Sequence, residues 1–283
     1  AFSALDQWFL GYPETALTRS RRGIAGATQR GDAYGQAFSS AMGCTLLFLL
    51  RDAAALADRV EQCSSLCRQH GFRLWQAYAD VFLGRLAAAR GEATAGVEQI
   101  KSTLAAWQKA GPPLGTDSLI LVLADTCLQL AGPRPPAGDS AAGAGRAALL
   151  ATGLEAVESR IGPGTVQVGY GYPAELYRLR GELLLAQDGP GAAAEALECF
   201  QTALRLAGEH GLRCPELRAA MSLVRLRDSL RSQGAAFAAE LAEARQCLRE
   251  VYGRFTEGFA FPDLQDAAAL MENEPRRGIG ETR

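Results

Sequence analysis

The sequence predicts an all-α fold in which pairs of helices repeat along the chain and stack as a right-handed solenoid. Glu175 and Leu176, in YPAELYRLRGELLLAQ, return as Glu216 and Leu217, in PELRAAMSLVRLRDSL. This offset defines a period of about 41 residues, which indicates stacked helix pairs because one pair cannot bury its apolar faces alone. Glycines also follow helix-like stretches, several of them roughly one period apart, as at left-handed helix ends: Gly31, Gly71, Gly111, Gly162, Gly211 and Gly253.

The helix pairs follow from apolar residues at helical spacing. The N-terminal stretch AFSALDQWFLGYPETAL begins inside such a pattern, so we expect a piece of a longer protein whose first helices expose an apolar face. One complete pair covers 74–90 and 93–110, joined at Gly91, and another covers 174–187 and 192–209, joined by DGPG. We expect five to six such pairs in a single domain spanning 1–273.

A small residue recurs within the first helix of several pairs. Gly43 and Gly84 are separated by one period, as are Gly181 and Ser222. We predict that these positions let the two helices of a pair approach closely and do not bind a ligand.

Three segments depart from the repeat. Residues 132–145 (GPRPPAGDSAAGAG) are rich in Pro, Gly, Ala and Ser, which predicts a mobile insertion. An aromatic-rich turn after Val251 and a short helix over 262–272 predict a C-terminal cap at 251–273. The last residues, 274–283, are predicted to be a frayed tail.

The composition excludes several classes of function. The net charge is -2 with acids and bases dispersed, so we expect no nucleic-acid binding, and the arginines of 218–231 should be solvated or salt-bridged. The longest apolar run, CTLLFLL, is shorter than the roughly 20 residues of a membrane span. Seven cysteines indicate free thiols in a reducing cytoplasm, and with two histidines they do not indicate a metal site.

The sequence contains no motif that predicts catalysis or a cofactor. A phosphate-binding loop needs a lysine after a glycine, but Lys101 and Lys109 follow Ile and Gln. The glycines of GPGTVQVGYGYP predict a connecting loop. His70 and His210 precede capping glycines, where a cation or donor stabilises a helix end. We therefore expect no catalytic residue, no cofactor and no enzyme activity in this region.

The helix pairs resemble tetratricopeptide repeats. Tyr177, Gly181 and Leu184 in one helix, and the A-x3-F-x2-A spacing from Ala196 in the next, are similar to that pattern. Arg180 departs from it by standing where the pattern has leucine. The period, about 41 residues, also exceeds the usual one of about 34 residues, which implies longer helices.

Several segments also resemble the C-terminal repeat region of large bacterial multidomain signalling proteins: AELYRLRGELLLAQ, ECFQTALRLAGEHG, ELRAAMSLVRL, VYGRFTEGFAFPDLQDAAALM and FLGYPETAL. In that family, a class III adenylyl or guanylyl cyclase domain, or a DNA-binding domain, precedes a signalling ATPase and then the repeats. The resemblance implies the non-catalytic regulatory or sensing arm of a cytoplasmic signalling protein. Upstream ATPase or cyclase domains of the same polypeptide would then be its partners.

Stacked pairs create a concave face, lined by the first helix of each pair, which typically binds peptides or partner domains. Aromatic and arginine side chains are the usual anchors of such interfaces. The candidate ligand- or partner-binding residues are Tyr34, Phe38, Trp75, Tyr78, Phe82, Tyr170, Tyr172, Tyr177 and Arg178.

Two functions remain open at this point. The first is a scaffold for a protein or peptide partner, with the N-terminal helices also able to form a homodimer. The second is a receptor whose repeat cavity closes on a small molecule and controls an attached ATPase or cyclase. An open, elongated groove would favour the first, and a closed pocket with a few convergent polar groups would favour the second.

Overall fold

The computed structural model describes residues 1–110, 115–136, 139–161, 171–230 and 235–272, which form thirteen α-helices and no β-strand. In chain order the helices are α1 (Phe2–Phe9), α2 (Pro13–Gln29), α3 (Ala33–Leu49), α4 (Ala53–His70), α5 (Arg73–Ala89), α6 (Ala93–Ala110), α7 (Thr116–Ala131), α8 (Ser140–Ile161), α9 (Tyr172–Gln187), α10 (Ala192–Glu209), α11 (Arg213–Leu230), α12 (Ala235–Tyr252) and α13 (Pro262–Glu272). The all-α class predicted from the sequence is confirmed.

The helices pack as consecutive pairs in two layers. The odd-numbered helices contact one another in succession from α1 to α11 and form a shared row. The even-numbered helices pack mainly against their neighbours in the chain, outside that row. The predicted pairs at 74–110 and 174–209 are confirmed as α5/α6 and α9/α10. This arrangement is consistent with an α-solenoid.

The row of odd-numbered helices closes, because α1 packs against α11 as well as α3. Around this contact Arg213 donates to the Tyr12 hydroxyl at 3.3 Å, and Glu257 accepts from Thr15 at 2.8 and 2.9 Å. The sequence predicts an exposed apolar face on the first helices, and this is wrong for the buried side chains of Leu5 and Trp8. They are covered because the C-terminal repeats return to the N-terminal one.

Five of the turns between helices recur at one regular interval, half the period of the helix pairs. The residues at these turns have positive φ, and all but Arg51 are glycines: Gly11, Gly31, Arg51, Gly71 and Gly91. The left-handed conformation costs a non-glycine residue about 1–2 kcal/mol, so Arg51 is an outlier. Of the other glycines predicted to end helices, Gly211 is left-handed and Gly253 is not, while Gly111 and Gly162 lie outside the described residues.

The prediction that small residues allow close helix approach is confirmed at two positions. A Cβ on Gly84 would lie 2.8 Å from the Gly96 carbonyl oxygen of the paired helix. A Cβ on Gly181 would lie 2.5 Å from Cε1 of Phe200. The contact around Gly43 is looser, at 3.3 Å from the Ser20 hydroxyl. Only glycine therefore fits at the first two positions, against a backbone at Gly84 and against an aromatic ring at Gly181.

The segments that interrupt the repeat are partly helical. Helix α8 begins at Ser140, so the last residues of the predicted insertion 132–145 belong to that helix. Helix α13, within the predicted cap, packs against α11 and α12. The predicted tail lies outside the described residues. None of the described helices combines the length and apolarity that a membrane span requires.

The cysteine thiols are shielded by the helix packing. Six of the seven are buried, and Cys247 is half-buried. Burial is the largest cause that raises the pKa of Cys67 to about 12 and of Cys127 to about 11. No group of three or more His, Cys, Asp or Glu residues able to hold a metal ion occurs within the described ranges.

We expect the thiols of Cys67 and Cys127 to react slowly in the folded chain, because the thiolate is the reactive species and burial suppresses its formation. At about pH 8, Cys247 should react first with Ellman's reagent, and all seven cysteines should react after unfolding in guanidinium. The measurement is the time course of thiol titration, with Cys247→Ser as the control that removes the fastest phase. Rapid labelling of Cys67 or Cys127 in the folded chain would contradict this expectation.

Candidate functional site

The predicted site residues that the structure describes fall into five environments. Phe82 is fully buried and packs against Phe48, with ring centroids 6.3 Å apart, so it belongs to the core and not to a concave surface. Tyr177 is half-buried on α9 and lines neither of the two pockets described below. Tyr170 lies outside the described residues.

Tyr34, Phe38 and Trp75 come together at the surface. The Tyr34 side chain is exposed, and its ring lies 6.1 Å from that of Trp75. The Phe38 ring lies 5.1 Å from the Trp75 ring. The Trp75 Nε1 is buried without a hydrogen-bond partner among the described residues. We call these three side chains the aromatic surface cluster.

Tyr78 and Tyr172 line a pocket between α1 and the N-terminal ends of α7 and α9, which we call the apolar pocket. Its volume is about 390 Å³. Aliphatic and aromatic side chains dominate its lining, among them Phe2, Leu5, Phe9, Leu10, Met42 and Leu212. Phe2 and Leu10 are 42% and 39% exposed, so apolar surface continues to the pocket's rim.

A chain of hydroxyl groups supplies fixed polar atoms beside the apolar pocket. The Ser118 hydroxyl donates to the Gly115 carbonyl at 2.7 Å. Its single proton is thereby used, so the Tyr78 hydroxyl, 2.8 Å away, donates to Ser118. The Thr45 hydroxyl, 2.6 Å from Tyr78, must then donate to Tyr78. Burial is the main cause that raises the pKa of Tyr78 to about 12, so this phenol stays protonated at neutral pH.

Acidic residues also line the apolar pocket. Asp117 Oδ1 accepts from Arg160 Nε at 2.6 Å. Burial raises the pKa of Asp117, and the bond to Arg160 opposes that shift. Burial also raises the pKa of Tyr172, and Tyr78, Asp117 and Asp6 raise it further. The pocket therefore combines an apolar lining with a small number of convergent polar groups, which is typical of small-molecule sites.

Arg178 lies in a second pocket, which we call the arginine pocket. It is lined by the odd-numbered helices from α3 to α13 and by the start of α4. Its volume is also about 390 Å³. It is lined by five arginines and five acidic residues: Arg51, Arg85, Arg178, Arg218 and Arg225, with Asp52, Asp125, Glu175, Asp263 and Asp266. The formal charges of these ten side chains cancel.

Arg218 connects four helices on one side of the arginine pocket. Its Nε donates to Asp263 at 2.7 Å, its Nη1 donates to Glu175 at 3.1 Å, and its Nη2 donates to the Leu49 carbonyl at the end of α3. The guanidinium also lies over the Trp8 ring, 4.8 Å from its centroid. Burial alone would lower the pKa of Arg218, but Asp263 and Glu175 raise it above its usual value.

Sequence reasoning missed the importance of Arg51 and Arg218. Arg51 stands at a regular interval among turn glycines, and that interval was available in the sequence. Arg218 gives no comparable indication, because it looks like the other arginines of its helix. Its role depends on contacts with residues far away in the chain, such as Leu49 and Trp8.

No family model matches the sequence, and a search of curated proteins finds no significant relative.

Proposed function

We propose that this chain is a non-catalytic repeat domain that binds a small molecule in the apolar pocket. The observation that carries the proposal is a cavity of about 390 Å³ with an apolar lining and the fixed hydroxyl chain of Thr45, Tyr78 and Ser118. Small-molecule sites typically have volumes of about 300–1,000 Å³ and this balance of groups. The ligand class it suits is an apolar molecule with one or two hydrogen-bonding groups.

The packing of the inner row favours this function over binding of an extended peptide. A peptide needs a continuous groove along the odd-numbered helices. Here Phe82, Leu121 and Leu179 are buried between those helices, and α1 closes the row against α11. The apolar pocket and the arginine pocket are separate cavities, and together they do not form one elongated groove.

A protein-binding scaffold is the second candidate, and the aromatic surface cluster supports it. The exposed Tyr34 and the adjoining Phe38 and Trp75 are residue types that anchor protein interfaces. A second copy of the chain or another protein would be the partner. Loss of partner binding in Tyr34→Ala, with ligand binding in the apolar pocket retained, would support this candidate.

For the whole protein we propose the sensing arm of a cytoplasmic bacterial signalling protein, with an ATPase or cyclase elsewhere in the same polypeptide. We further propose right-handed stacking of tetratricopeptide-like pairs with a period of about 41 residues. In support, α3 starts at Ala33 and α5 at Arg73, while α9 starts at Tyr172 and α11 at Arg213, close to one period apart in each case. Translation of the upstream reading frame tests the larger proposal, since a cyclase, DNA-binding or phosphate-loop segment is expected there.

The pocket function is tested with Leu10→Glu. Leu10 lies at the rim of the apolar pocket and is partly exposed, so a charge can be placed there with little cost to folding. A library of uncharged apolar compounds is first screened by thermal shift against the unaltered chain. We expect the compounds that bind to lose about tenfold or more in affinity in the variant, because burying them would desolvate the new carboxylate.

Phe259→Glu is the matched control, because Phe259 is another exposed apolar residue and does not line the apolar pocket. Its ligand affinity should equal that of the unaltered chain. Equal loss of affinity in both variants, or a library with no compound whose binding Leu10→Glu weakens, would contradict the proposed function.

A further inference from the structure

The arginine pocket has the composition of a second binding site, independent of the apolar pocket. Its carboxylates already accept hydrogen bonds from the protein. Both oxygens of Asp263 are used, by Arg51 and Arg218, and both oxygens of Glu175 accept from Arg178. Asp125 Oδ2 lies 2.8 Å from Arg85 Nη2 and accepts from Gln129. These acidic groups therefore hold the arginines in place.

The guanidinium groups that line the cavity, in contrast, retain donors with no hydrogen-bond partner among the described residues. Arg225 Nη2 lies 3.8 Å from Asp266, and Arg178 Nη1 lies 3.9 Å from Glu182, both beyond hydrogen-bonding distance. Both bonds that Arg51 makes to described residues use Nη1. A guanidinium carries five N–H donors and no acceptor. The unused hydrogen-bonding capacity in this pocket therefore consists mainly of cationic donors.

The backbone of Arg51 gives a second, independent observation. Its φ of 60° places it in the left-handed region, where four other turns at the same interval have glycine. A glycine would remove that strain, and the arginine side chain is half exposed, so its ion pairs with Asp263 and Asp266 contribute little to stability. The arginine at this turn is thus not explained by folding alone, and its side chain lines the cavity.

We propose that the arginine pocket binds a small oxyanion, that is, a molecule carrying a phosphate or carboxylate group, through Arg51, Arg178 and Arg225. The guanidinium is suited to planar, two-oxygen recognition of such groups. The cavity volume of about 390 Å³ admits a molecule larger than a single phosphate. The equal numbers of acidic and basic side chains keep the site neutral when empty and limit unspecific attraction of anions.

The test is calorimetric titration of the whole chain with pyrophosphate and, separately, with citrate, in a buffer free of other oxyanions. The variants are Arg225→Gln, whose side chain is 48% exposed, and Arg51→Gly, which also relieves the left-handed strain. We expect saturable binding of at least one probe and a loss of about tenfold or more in affinity in each variant, since each loses a charged hydrogen-bond donor. The thermal midpoint of Arg225→Gln should remain close to that of the unaltered chain, and that of Arg51→Gly should not fall below it.

Arg205→Gln is the matched control, because Arg205 is an exposed, ion-paired arginine on α10 away from the pocket. It should bind the probe as the unaltered chain does.

The two probes distinguish the ligand class. Binding of pyrophosphate only would assign a phosphate ligand, and binding of citrate only would assign a carboxylate ligand. Either result supports the site. Absence of saturable binding by either probe, or affinity retained in Arg225→Gln or Arg51→Gly, would overturn it. Leu10→Glu alters only the apolar pocket, and the arginine variants alter only the arginine pocket. A negative result at one pocket therefore does not contradict the proposal for the other.

Discussion

Replacement of Arg218 by methionine is expected to destabilise the chain by about 3–5 kcal/mol, the usual cost of removing one partner from a buried ion pair. Arg218 and Glu175 have side-chain exposures of 10% and 2%. The substitution leaves the Glu175 carboxylate with Arg178 as its remaining cation and the Leu49 carbonyl without its donor. It also removes the contacts by which this side chain joins α11 to α1, α3 and α13. Urea unfolding followed by circular dichroism measures the change in the free energy of unfolding.

Two further variants test whether the loss of the buried ion pair causes the lower free energy of unfolding. Arg205→Met removes an exposed arginine from a pair with Glu209 and should change the free energy of unfolding by no more than about 0.5 kcal/mol. Glu175→Gln in the Arg218→Met background should recover part of the loss, because the neutral amide no longer needs a cation. A loss in Arg218→Met no greater than that in Arg205→Met would show that the pair does not hold the helices together.

Gly96→Ala is expected to have the second largest effect, at the upper end of the roughly 1–3 kcal/mol that overpacking costs. The added methyl group would clash with the Gly84 carbonyl oxygen and lie 2.7 Å from the Ala88 nitrogen. Both obstacles are backbone atoms of α5, so α5 and α6 must separate to relieve them. The preference of a helix for alanine offsets only about 1 kcal/mol of this. The loss is measured by the same urea unfolding.

Gly23→Ala is the control for helix propensity. Gly23 also lies inside a helix, but a Cβ there would have no atom within 4 Å. This substitution should stabilise the chain by up to about 1 kcal/mol. Stabilisation by Gly96→Ala of the same size would mean that α5 and α6 do not approach as closely as described.

The strained backbone of Arg51 points to a role for its side chain beyond folding. The left-handed turn at position 51 is shared with four glycines, and their regular spacing identifies it as part of the repeat. A non-glycine residue persists in such a conformation only when the surroundings hold it there. The Arg51 side chain bonds Asp263 and Asp266 of α13, from the far end of the chain, but these half-exposed ion pairs are too weak to explain the strained backbone. The arginine pocket is therefore recognised from two facts together: the turns recur with glycine, and one of them has Arg51 instead.

Much of the local structure is determined by the sequence alone. The helix pairs follow from apolar spacing and turn glycines, because each helix packs first against its neighbours in the chain. The close approach at Gly84 and Gly181 was predictable for the same reason: it occurs between the two helices of one pair. Tyr78 and Tyr172 were also identified as candidate site residues, although the sequence did not indicate that they line one pocket.

The tertiary structure alone decided whether the row of helices stays open or closes. Closure depends on a small rotation from each pair to the next, accumulated over the whole chain, and no single repeat encodes that sum. It brings Tyr12 to Arg213 and Leu49 to Arg218, 201 and 169 residues apart in sequence. It therefore replaces the predicted concave groove with two pockets, and it buries Arg218 while Arg225 on the same helix remains half exposed.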